Sequence, residues 1–71
     1  MNAKLIEMLR ADALAQKAKA LLTLDLLGNK GSGIGDHSTK DFYENADEAL
    51  TMLVDADDKL EALDKYFPQD V

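Results

Sequence analysis

Between residues 42 and 67 apolar side chains recur at alternating intervals of four and three: Phe42, Ala46, Ala49, Leu53, Ala56, Leu60, Leu63 and Phe67. That period keeps the whole series on one side of a helix, as a knobs-into-holes seam requires. The alanines let a neighbouring helix come close, and the phenylalanines close the two ends. Leu50, Met52 and Val54 broaden the apolar surface. Ser38 stands three residues before Asp41, a variant of the capping box that opens a helix. Pro68 cannot continue one without losing a hydrogen bond and clashing. The second helix is therefore predicted from about residue 39 to about residue 67.

The first predicted helix runs from about residue 3 to about residue 27, with Asn2 as its N-cap and Gly28-Asn29 as a left-handed stop. Its apolar residues form two roughly opposite stripes. One holds Met8, Ala11, Ala15, Ala18, Leu22 and Leu26; the other holds Ile6, Leu9, Ala13, Ala20, Leu24 and Leu27. A hairpin gives this helix a single partner, so one stripe is left over, and helices apolar on two sides are normally buried on two sides.

Two helices alone also make a very small core, in which burial roughly cancels the entropy of ordering the chain. The expected architecture is therefore all-α, a two-helix antiparallel hairpin that dimerises into a four-helix bundle. The expected oligomer interface combines Ile6, Leu9, Ala13, Leu24 and Leu27 with the seam Phe42, Ala46, Ala49, Leu53, Ala56, Leu60, Leu63 and Phe67. In a monomer, the stripe at Ile6, Leu9, Ala13, Leu24 and Leu27 is the one expected to face water.

Residues 28–37 read GNKGSGIGDH, and four glycines in eight residues suit a connecting loop. The loop lacks the spacing of either common phosphate-binding glycine motif and follows a helix rather than a strand. Its length exceeds what a bare hairpin needs, which makes Gly33, Gly35 and His37 candidates for partner contact. His37 is the only histidine, and with no cysteine in the chain it has no metal-ligand company. Asp25 breaks the apolar run that ends the first helix and opposes the helix dipole, so loop N–H groups or Lys30 are expected to satisfy it.

Composition narrows the picture further. Twelve leucines and ten alanines against four valines and isoleucines favour helix over sheet. The absence of cysteine rules out a disulfide scaffold and fits a reducing, cytoplasmic setting. The longest apolar run, Ala20 to Leu27, is broken by Thr23 and Asp25 and spans no bilayer, and no secretion signal is visible. A net charge of −6 speaks against direct binding to nucleic acid or anionic lipid. No cofactor is expected.

The charge is unevenly spread. Residues 39–67 hold nine acids against Lys40, Lys59 and Lys65, whereas the first helix sums to +1. Asp41, Glu44, Glu48, Asp55 and Asp58 share a face opposite the leucine seam and are candidate partner-binding residues. The paired acids, Glu44 with Asp47 or Glu48 and Asp55 with Asp58, faintly resemble the paired acidic motifs of the all-α nucleoside-triphosphate pyrophosphohydrolases, which hold magnesium inside a helical bundle. That family spreads its acids over two helices facing an interior; here both pairs lie on the outer face of one helix, and no residue is carried over. The leading expectation is a non-catalytic interaction or regulatory protein that pairs with itself and with other proteins. An acidic mimic of nucleic acid that blocks a basic groove is the alternative, and a metal-dependent nucleotide-hydrolysing enzyme comes last.

Overall fold

The computed structural model describes residues 2–29 and 39–68. It holds two helices packed against each other, α1 (Ala3–Asn29, 27 residues) and α2 (Thr39–Tyr66, 28 residues). At ~1.5 Å per residue they are roughly 40 and 42 Å long, so they match over nearly their whole length.

The helix ends follow from local chemistry. The Asn2 side-chain oxygen accepts from the Lys4 backbone N–H at 2.8 Å, and the Asn2 carbonyl accepts from Leu5 and Ile6 at 3.1 and 3.2 Å. Three of the donors at the helix start are thus satisfied by one residue. At the far end of α2, the Phe67 N–H still donates to the Leu63 carbonyl at 2.9 Å before Pro68 stops the ladder.

Gly28 does not end α1. The helix continues through Asn29, and no glycine among the described residues has a positive φ. A Cβ at Gly28 would meet nothing within 4 Å, so no close approach requires glycine there. The capping serine Ser38 and the remainder of the glycine loop lie outside the described residues.

Contacts between Arg10 and Asp64, Lys17 and Asp57, and Gln16 and Lys59 fix an antiparallel register. In that register the α2 seam meets α1 residues 6, 10, 13, 17, 20, 24 and 27, again at alternating intervals of four and three. That register sets small residues at the level of large ones: Ala13 near Leu60, Ala20 near Leu53, and Ala49 near Leu24. Ile6, Ala13 and Ala20 of α1 and Ala49, Ala56 and Leu63 of α2 are buried, with Ala20 and Ala56 at 0% exposure. Leu24, Leu27, Phe42, Ala46, Leu53 and Leu60 are half-buried around them, while Leu9 and Phe67 stay exposed at the margin.

This reverses one expectation about α1. The stripe at Ile6, Ala13, Leu24 and Leu27 is not left open by the hairpin; it is the side that packs on α2. The opposite stripe faces outward, with Met8 at 51%, Leu22 at 59% and Leu26 at 48% exposure. The reason lies at positions 10 and 17. Arg10 and Lys17 interrupt the apolar series, yet both sit in the seam and meet the acids of α2.

Candidate interaction surface

The seam divides the hairpin into two flanks. On one, Arg10 donates to Asp64 at 2.5 Å and Lys17 pairs with Asp57 at 3.1 Å. Both cations extend from seam positions to acids at the rim of α2. The Arg10 Nε is buried and has no hydrogen-bond partner. Its guanidinium is thus only partly satisfied at the seam.

On the other flank Gln16 bridges the helices. Its Nε2 donates to the Met52 carbonyl at 3.0 Å, and its Oε1 accepts from Lys59 Nζ at 3.2 Å. Shallow grooves run along this side. One, of about 320 Å³, is lined by Leu9, Lys59, Ala62, Leu63, Tyr66 and Phe67 and is almost wholly apolar. Another, of about 410 Å³, lies between Asp12, Ala15, Gln16, Lys19 and Met52. Neither groove is enclosed.

Among the described residues the outer side of α1 is an open, apolar surface. Met8, Ala11, Ala15, Ala18, Leu22 and Leu26 are all exposed along it, and Leu14 and Leu21 widen it toward the Lys17–Asp57 flank. These positions run along most of α1, a distance of roughly 27 Å between residues 8 and 26. Among them Asp12 and Lys19 supply charge on one edge, and Glu7 and Asp25 on the other. Among the described residues Asp25 has no ion-pair partner. Lys30, its expected one, lies outside them.

Leu50, Met52 and Val54 of α2, expected to broaden its packed surface, are exposed because a single partner helix covers only the seam. The side of α2 opposite the seam is polar. Asp41, Glu44, Glu48, Asp55 and Asp58 are exposed, and Glu44 has Lys40 of its own helix at 3.9 Å. Tyr43 packs edge-on against Phe42 with ring centroids 5.5 Å apart, and Lys65 lies 5.3 Å over the Tyr66 ring. Among the described residues no three acids or histidines are grouped to hold a metal ion, and no helix is long and apolar enough to cross a membrane. Gly33, Gly35 and His37 lie outside the described residues.

Sequence reasoning missed Arg10, Lys17 and Gln16 as the polar counterparts of α2. The signal was present in the spacing. Inserting 10 and 17 into the series Ile6, Ala13, Ala20, Leu24, Leu27 completes a regular four-three alternation, and the residues that fill the gaps are both cationic. No protein-family model matches the chain, and no curated protein or solved structure matches it either.

Proposed function

We propose that this protein is a non-catalytic interaction protein whose principal docking surface is the outer face of α1, and that its partner there is another helix. The observation that carries this reading is the continuous exposed stripe Met8, Ala11, Ala15, Ala18, Leu22 and Leu26 on a helix whose opposite side is already packed. Contiguous apolar patches of this kind mark association sites in proteins that are otherwise polar outside. Large residues at 8, 22 and 26 and small ones between them suit a helix laid along the face, by the helix-in-groove mode.

The thinness of the hairpin core supports the same reading. Among the described residues four of the six buried side chains are alanines, each burying little more than a methyl group, and a buried CH₂ contributes only about 0.8 kcal/mol. Association through α1 would bury apolar surface that the hairpin leaves in water, and the folded form would gain stability with concentration.

A second reading has its own observation. The acids Asp41, Glu44, Glu48, Asp55 and Asp58 are all exposed on one helix face, an arrangement that suits a basic groove on another protein. A photo-crosslinking residue placed at Leu22 or at Asp58 separates the two. Docking through α1 expects crosslinked product from position 22 and none from position 58. The acidic-mimic reading expects the reverse, with product that disappears at high salt.

A further inference from the structure

We infer that the helix docking on α1 is α1 of a second copy, antiparallel to the first, in one defined register. This rests on the proposed docking surface and adds its occupant and geometry.

The outer stripe is complementary to itself. It forms a second four-three series: Lys4, Met8, Ala11, Ala15, Ala18, Leu22 and Asp25. Antiparallel pairs of such series interdigitate in registers that differ by one heptad, and two neighbouring registers give the longest overlap. In the first, Ala15 meets the partner's Ala18 and Ala11 meets the partner's Leu22. The edge positions then bring Asp12 beside the partner's Lys19, Leu5 beside the partner's Leu26, and Leu14 beside the partner's Leu21. Every one of these contacts occurs twice, because a two-fold axis passes between residues 16 and 17.

In the second register Asp12 meets the partner's Asp12 and Leu5 meets the partner's Lys19. Like charges are then juxtaposed, and leucine is spent on ammonium. The first register is favoured on both counts, since opposite charges across an interface fix register and like charges reject it. Opposite charges already pair between helices inside the hairpin, where Arg10 and Lys17 of α1 meet Asp64 and Asp57 of α2. Asp12, Ala15 and Lys19 also line one shallow groove together, so the edge that would receive the partner is concave.

A second copy fits better than an unrelated helix for a further reason. The two apolar sides of α1 are nearly opposite, so the assembly has the helix order α2, α1, α1 of the partner, α2 of the partner. This is an open layer rather than a closed square bundle. It holds the two acidic α2 helices at its outer edges, where their like charges are farthest apart. Asp25 finds a place in it, opposite the partner's Met8 and one turn from the partner's Lys4.

Light scattering on the full chain, with Asp12→Lys and Lys19→Asp as separate variants, tests this. Both residues are exposed in the hairpin, so circular dichroism should report unchanged helicity. The wild-type chain is expected to have the mass of two copies. At a concentration where it does, each variant alone should run as one copy, weakened roughly tenfold to a hundredfold at low salt. An equimolar mixture of the two variants should regain the mass of two, because both contacts between positions 12 and 19 of the mixed pair then join opposite charges. Variants that remain paired alone, or fail to pair when mixed, would overturn the register. A wild-type chain that stays single at every concentration would overturn the second copy. Docking through α1 would then still stand if position 22 crosslinked to a different chain, and would fall with it if position 22 gave no product.

Discussion

The outer faces of α1 and α2 are built on the same helical scaffold and exposed to the same solvent, yet they are chemical opposites. On α1 the outward side presents Met8, Leu22, Leu26 and three alanines; on α2 it presents Asp41, Glu44, Glu48, Asp55 and Asp58, with Tyr43, Leu50 and Val54 exposed beside them. A seam that needs only one side of each helix constrains neither outer face. The acidic face therefore has the ordinary composition of a solvated surface, and the apolar face is the one whose composition the hairpin leaves unexplained.

The two sides of α1 can be set against each other with a single kind of substitution. Ala20→Asp and Ala15→Asp carry the same loss of helix propensity, but Ala20 is fully buried against α2 while Ala15 is exposed. The charge at position 20 would be stranded between helices, at a cost on the order of 3–5 kcal/mol. Thermal melts are expected to show the hairpin of Ala20→Asp lost or nearly so. Ala15→Asp should leave a hairpin that still melts cooperatively when dilute, and abolish association instead. Equal effects of the two substitutions would mean that the inner and outer sides of α1 are not distinct.

A smaller effect tests the polar interruption of the seam. Arg10 brings a guanidinium to a position flanked by Ile6 and Ala13, gains an ion pair with a largely exposed Asp64, and leaves its Nε without a partner. An exposed pair contributes little, whereas a buried donor left unpaired costs more than the pair returns. Arg10→Met keeps the apolar stem and removes the orphaned donor. The melting midpoint is expected to rise, by about 1 kcal/mol of stability. A fall would show that the contact with Asp64 outweighs the desolvation of the guanidinium.

Arg10 also shows why the fold was legible before the packing was. The α2 seam could be read directly, because all eight of its positions are apolar, and the Asn2 cap and Pro68 stop bounded the pair of helices to within a residue or two. The side of α1 that meets α2 could not be read from hydrophobicity, since the outward stripe is the less interrupted of the two. What hid the inner side is that two members of its four-three series, Arg10 and Lys17, are cations, which the structure places in the seam beside Asp64 and Asp57. Gly28 misled for a related reason. Glycine permits a left-handed stop without enforcing one, and the helix ladder runs on to Asn29. Of the candidate surfaces, the acidic row was legible as a row of exposed residues. The outer α1 face emerged only once the inner one had been assigned.

The smallest expected effect belongs to the acidic face, and it bears on the same contrast. Asp55 and Asp58 are three residues apart on an exposed helix surface, and Glu44 and Glu48 are four apart. Like charges at these spacings destabilise a helix by about 0.2–0.5 kcal/mol per pair. If the row is only solvated surface, Asp55→Asn and Glu48→Gln should each raise the melting midpoint slightly, and added salt should narrow the gain by screening the same repulsion. Association through α1 should be unchanged in both variants, since neither residue lies on that helix. A loss of association would instead assign the acids to an interface. The outer face of α2 would then be a binding surface in its own right, and the two outer faces would differ in the chemistry of what they bind rather than in whether they bind.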